Sequence, residues 1–156
     1  RSQPITPDTY TGHEHILFVD DEPALVEIGQ EILTTLGYQV ETTTSSLEAI
    51  ERFKADPDRF DLIISDLTMP KMTGDDLAIE AMRIRPDIPV ILFTGYSDIM
   101  SREKYVALGI KDCLMKPLTR KDLAESIRRV LDENQALQEA PSMETGNPSE
   151  SEENAP

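Results

Sequence analysis

Ile16-Leu17-Phe18-Val19-Asp20-Asp21 is the stretch that decides the fold. Four consecutive apolar residues leave no polar face, so the run reads as a strand buried on both sides, the mark of a parallel sheet. The same design recurs in Leu62-Ile63-Ile64 before Ser65-Asp66, and in Val90-Ile91-Leu92-Phe93 before Thr94. Each core run therefore ends in a polar residue. Tyr38 to Thr43, centred on Val40, reads as a weaker strand, and Asp112 to Met115, followed by Lys116, as a fifth.

Helical patterns fill the gaps between these strands. Pro23 to Leu36 sets Leu25, Ile28, Ile32 and Leu36 at helical spacing, with Gly37 as a stop signal. Ser46 to Lys54 is expected to bury Leu47, Ile50 and Phe53; Asp75 to Ile84 to bury Leu77 and Met82; and Ser97 to Leu108 to end at Gly109. The last helix starts at Thr119, with Asp122 three residues on as in a capping box, and runs through Leu123, Ile127, Val130 and Leu131. The chain is thus an α/β protein of the (βα)₅ type. Such alternation implies a parallel sheet covered on both faces and joined by right-handed crossovers, with ligands bound at the carboxyl ends of the strands.

Composition limits what such a fold does here. The 156 residues, 38% of them hydrophobic, suit one compact domain. A formal charge of −15 excludes a nucleic-acid surface, which needs clustered Lys and Arg. The single cysteine, Cys113, forms no internal disulfide, and no Cys/His cluster has zinc spacing, so a reducing, cytoplasmic setting is expected. No apolar run reaches the length of about 20 residues that a membrane helix needs, so this chain makes no membrane contact of its own. Residues 1–12, rich in Pro, Thr and other polar residues, read as a linker that includes no periodic element. His13 and His15, just before the first strand, read as linker residues too. The compact domain is placed at 13–135 and an acidic, disordered tail at 136–156, where Glu139, Glu144, Glu150, Glu152 and Glu153 meet no basic residue. A start at Arg1 suits a piece of a longer protein whose other domains are absent.

The strand endings make a site. Asp20, Asp21, Asp66, Thr94 and Lys116 all fall at or just after strand ends, so the fold gathers three carboxylates, a hydroxyl and an ammonium in one crevice. Three like charges raise one another's pKa unless a cation compensates, and a hard divalent ion with oxygen ligands does so; Mg²⁺ is the natural candidate. One carboxylate is then free to attack a phosphorus centre. Taken singly, each residue has a plainer reading: Asp20-Asp21 as a helix cap, Asp66 as a turn residue, Lys116 as a solvated lysine, Thr94 as a strand-end hydroxyl. Met69, Met72 and Met82 read as packing or loop residues.

The segments FVDDE (Phe18 to Glu22), SDLTMPKMTG (Ser65 to Gly74), FTG (Phe93 to Gly95) and MKP (Met115 to Pro117) resemble those of the response-regulator receiver domains of two-component signalling. The resemblance covers Glu14 to Asn134. It implies a flavodoxin-like, doubly wound sheet of strand order 2-1-3-4-5, with Asp66 as phosphoacceptor and Mg²⁺ held by Asp20, Asp21, Asp66 and the backbone carbonyl of Thr68. It further implies that Thr94 and Lys116 contact the phosphoryl group, that the bond before Pro117 is cis, and that Thr68 and Tyr96 flank the path of a hydrolytic water. Cys113 departs from the pattern, since the family usually has Tyr or Phe there as a switch.

The run GHEHILFVDDEPALVEIGQ and the ending LMKPLTRKDLAESIRRVLDE resemble the C-terminal receivers of hybrid sensor histidine kinases. The expected function is a relay receiver, fed by a sensor histidine kinase or a histidine phosphotransfer protein and monomeric in isolation, whose parent is a membrane-anchored kinase. The chain's own chemistry is then self-phosphorylation and autodephosphorylation. The alternative is a stand-alone single-domain regulator that binds a partner protein when phosphorylated. A haloacid-dehalogenase-like phosphatase is a third reading, disfavoured because Thr68 stands where its second motif aspartate belongs.

Overall fold

A computed structural model of the chain describes residues 10–95 and 102–139. Its elements alternate as β1 (His15–Val19), α1 (Pro23–Thr35), β2 (Gln39–Thr43), α2 (Ser46–Ala55), a short 3₁₀ turn (Pro57–Arg59), β3 (Leu62–Asp66), α3 (Gly74–Ile84), β4 (Val90–Thr94), α4 (Arg102–Ala107), β5 (Asp112–Met115) and α5 (Arg120–Glu139). The five strands are all parallel and lie in the order β2-β1-β3-β4-β5, the flavodoxin-like arrangement. Side chains alternate across each strand, so two cores form, one per face. Leu17, Val19, Ile63, Val90 and Leu92 pack under α2, α3 and α4. Ile16, Phe18, Ile64, Ile91 and Phe93 pack under α1 and α5. Among the described residues no helix is long and apolar enough to cross a membrane.

Several helices turn a different face inward from the one the apolar spacing predicts. In α1 the buried residues are Val26, Gly29 and Leu33, followed by Leu36, whereas Ile28 is 47% exposed. The cause is Phe18, whose ring lies where a Cβ on Gly29 would stand, so the glycine faces the sheet and rotates the helix by one position. A count of large apolar residues gives a glycine no weight. In α2, Leu47 is exposed and Ala49 takes its place beside Ile50 and Phe53, because the Ser45 hydroxyl caps the Glu48 N–H at 3.1 Å and so sets the phase of the first turn.

The chain ends also depart from expectation. His15 is the first residue of β1 rather than linker, its Nε2 3.1 Å from Glu41 and its ring edge-on to Phe60. The lead-in is tied down from Thr11 onward: Arg128 donates to the Thr11 carbonyl at 3.1 Å, and the Gly12 N–H to the Leu36 carbonyl. At the other end α5 continues to Glu139, four residues beyond the boundary drawn at 135, with Gln135 and Gln138 donating to Glu139 and Asp87. Helical hydrogen bonding propagates into a polar segment because each added residue closes one more bond on an existing helix. The predicted beginning of α4 at Ser97 lies outside the described residues.

Candidate functional site

Strand order carries the site. Asp66 ends β3, and Asp20 and Asp21 directly follow β1, its hydrogen-bonded neighbour. Thr94 ends β4 and Lys116 follows β5, so all five residues meet at the carboxyl edge of the sheet, as expected. Carboxylate oxygens of Asp20, Asp21 and Asp66 lie within 4.8 Å of one another. The Lys116 ammonium sits 3.2 Å from Asp66 Oδ1 and 3.6 Å from Asp20 Oδ2. Thr94 is buried beside them, and its carbonyl accepts the Lys116 N–H at 2.8 Å. The Lys116-Pro117 bond is cis.

Asp20 serves both readings given to it. Its Oδ1 accepts the Glu22 N–H at 2.8 Å, at the entry to α1, while Oδ2 is buried with no hydrogen-bond partner. Burial pushes its pKa up to about 6, and the Asp66 and Asp21 charges add to the rise. Asp66 moves upward for the same first reason, desolvation, against the opposing pull of Lys116. Burial alone would lower the Lys116 pKa, but Asp66 and Asp20 outweigh it and the net shift is upward.

The donor set fits a hard divalent cation. Three carboxylates offer oxygen ligands, one buried oxygen accepts no hydrogen bond, and burial together with the neighbouring carboxylates disfavours the charged form of Asp20. A stability consequence follows. The folded-state pKa of Asp20 lies above its unfolded value of about 3.9, so the folded state binds more protons between the two. Without metal, this group's contribution to stability is expected to fall by about 2 kcal/mol as pH rises from ~4 to ~6. MgCl₂ should restore it above pH 6 by mass action and do little at pH 4.5, where protons occupy the site. Thermal melts of the native protein and Asp20→Asn across pH, with and without MgCl₂, check this; a native profile that matches the Asn variant at every pH would refute it.

Other residues that shape the site carry no polar signature. Gly74 opens α3, donates its N–H to the Leu67 carbonyl at 2.8 Å, and leaves no room for a Cβ against the carbonyl of Asp66. It reads in sequence as loop punctuation, yet it lets α3 begin against the backbone of the acceptor strand. Thr68 lies on that loop with its side chain exposed. Met69 packs in the core and Met72 against it. Cys113, at the position of the usual aromatic switch, is buried on β5 in the core that includes Tyr105 of α4. Tyr96 lies outside the described residues.

The profile of the response regulator receiver domain matches residues 16–128. Among curated relatives, the transcription factor SKN7 of Chaetomium thermophilum is 35% identical over 116 residues, covering 74% of this chain and 15% of that protein. The response regulator SaeR of Staphylococcus aureus is 35% identical over 117 residues, covering 75% of this chain and 50% of SaeR. The chain therefore spans half or less of the length of these relatives. Among solved structures, a response regulator receiver domain protein from Clostridium thermocellum superposes with a TM-score of 0.76 at 31% identity, over 80% of this chain and 98% of that one. A chain of the CheX-CheY-BeF₃-Mg²⁺ complex from Borrelia burgdorferi superposes with a TM-score of 0.72 at 26% identity, over 81% and 94%.

Proposed function

We propose that this chain, which belongs to the response regulator receiver domain family, accepts a phosphoryl group from a phosphohistidine onto Asp66, with Mg²⁺ held by Asp20, Asp21, Asp66 and the Thr68 carbonyl. The observation that carries this reading is a buried strand-end carboxylate, Asp66, with an ammonium at 3.2 Å and two further carboxylates beside it, one with a buried oxygen that accepts no hydrogen bond. When bound, the ion neutralises charge on the transferring phosphoryl oxygens. A carboxylate oxygen of Asp66 forms the new O–P bond as the N–P bond of the donor breaks, and the electron pair leaves on the imidazole nitrogen, which takes up a proton. Lys116 offsets the charge that accumulates on the acyl phosphate, as a compact ammonium does well. Thr94, buried at the end of β4, donates its hydroxyl to a phosphoryl oxygen.

Incubation with MgCl₂ and acetyl phosphate is expected to add a single phosphoryl group by intact mass, lost on raising the pH. Absence of any adduct, with the fold intact, would sink the assignment.

The chain's setting is a relay, on our reading: the receiver of a hybrid sensor kinase, cytoplasmic and monomeric, exchanging its phosphoryl group with a kinase or phosphotransfer protein and touching neither nucleic acid nor membrane. The run from Leu114 to Glu133 and the acidic surface support it. The name of the transcription factor SKN7 favours a second reading, in which the receiver controls a transcription factor. Phosphotransfer profiling separates the two, because a relay receiver returns its phosphoryl group to a histidine phosphotransfer protein and an output regulator retains it.

A further inference from the structure

Lys116 is carried on a long, flexible stem, and its ammonium faces the carboxylates of Asp20 and Asp66. Those carboxylates are also the ligands proposed for a divalent ion. When such an ion binds, Asp20 and Asp66 share their charge with it, and their hold on the ammonium weakens. A further contact of the ammonium is aromatic. Its nitrogen lies 5.4 Å from the centroid of the Phe93 ring, inside the range of about 6 Å for a cation held on a π-face. Phe93 pairs with Leu114 on β5, and Lys116, directly after the strand, lines the same cavity as Phe93.

Phe93 is itself fixed from below. Its ring stacks on Phe18 with centroids 5.5 Å apart and planes at 23°, and both residues are fully buried. Gly29 gives Phe18 its space, since any side chain there would enter the ring. Beside the pair opens a cavity of about 340 Å³, walled by Leu25, Ile28, Pro117 and Leu118, with Phe93 and Lys116 on its lining. That hollow gives the lysine stem room to swing away from the acceptor. It also surrounds the ring with apolar groups, which strengthens a cation–π contact relative to one in open water.

We infer that Phe93 is a positioning residue for Lys116: its ring, seated on Phe18 over Gly29, keeps the ammonium facing Asp66 while the metal occupies the carboxylates. The inference rests on the reading that Lys116 serves phosphoryl uptake at Asp66. The ring acts through the negative potential of its face and not only through its volume.

Replacing Phe93 by phenylalanines of increasing fluorination keeps the ring's shape nearly constant and drains its face of negative potential. In saturating MgCl₂, uptake from acetyl phosphate is expected to fall stepwise, by roughly three- to ten-fold at the pentafluoro ring. In the same samples without phosphodonor, the ε-methylene protons of Lys116 should resonate upfield of those of exposed lysines in the native protein. Phe93→Leu, which removes the ring, should return them to the exposed-lysine position. Circular dichroism and melting confirm that each variant is folded. Equal uptake rates across the fluorinated series, or an unshifted Lys116 in the native protein, would overturn the positioning role even where Asp66 accepts phosphate normally. Failure of the native protein to take up any phosphoryl group would instead overturn the proposed function, and the Lys116 shift would still decide the ring contact.

Discussion

Asp66→Asn is expected to reduce phosphoryl uptake to the level of a buffer control while leaving the fold intact. The amide has nearly the volume of the carboxylate, so the packing around this 4%-exposed residue survives. What disappears is the nucleophile, because amide oxygen and nitrogen lone pairs are delocalised and do not form a stable bond to phosphorus. Neither neighbour replaces it. Asp20 Oδ1 is engaged by the Glu22 N–H, Asp21 follows the strand end, and Asp66 alone combines a strand-terminal position with Lys116 at 3.2 Å. Stability should not fall, since burial already disfavours the charged form of Asp66 and the substitution removes a like charge beside Asp20. Intact mass after incubation with MgCl₂ and acetyl phosphate gives the first measurement, and thermal melting the second. Undiminished labelling, or labelling mapped by peptide digestion to Asp20 or Asp21 in the native protein, would refute the assignment.

The sequence made the sheet legible because parallel strands buried on both faces leave nearly unbroken apolar runs: Ile16 to Val19, Leu62 to Ile64 and Val90 to Phe93 all lie within observed strands. It made the site legible for a related reason. Polar residues placed after such runs have to emerge at one edge of the sheet, so strand direction puts Asp20, Asp66, Thr94 and Lys116 on that edge and strand order makes them neighbours. Helix orientation was harder to read. Whether α1 turns Leu25 and Ile28 or Val26 and Gly29 inward depends on the Phe18 ring, a partner that no local pattern contains. Gly74 was hidden in the same way, since its meaning is the absence of a Cβ beside the Asp66 carbonyl. His15 looked like linker because a polar residue at a strand's first position breaks no apolar run, although Glu41 and Phe60 receive it. Asp112 was legible only as the first residue of a short strand.

Asp112 is expected to be the most costly polar residue to truncate outside the site. It is 3% exposed, and its carboxylate is shared by three elements. Oδ1 accepts from the Cys113 N–H of β5 and from Arg102 of α4, each at 2.8 Å; Oδ2 accepts from Ser126 at 2.6 Å and Arg129 at 2.5 Å, both on α5. Removing one partner of a buried ionic network leaves the others unpaired, which costs more than the network itself contributes. The donors are not equivalent, however. The side chains of Arg102 and Arg129 are about half exposed and recover water, whereas the Ser126 hydroxyl is buried and does not. Asp112→Ala should therefore destabilise the domain by about 3 kcal/mol, and Arg102→Ala, at the exposed end of the same bond, by less than about 1 kcal/mol. Denaturant unfolding followed by circular dichroism measures both. Lys116 stands four residues along from Asp112, or about 13 Å if the backbone stays extended, so molecules that remain folded should still take up phosphate on Asp66. A loss below about 1 kcal/mol for the Ala variant would show that water reaches Ser126 and that the Asp112 carboxylate is not what holds α4 and α5 to β5.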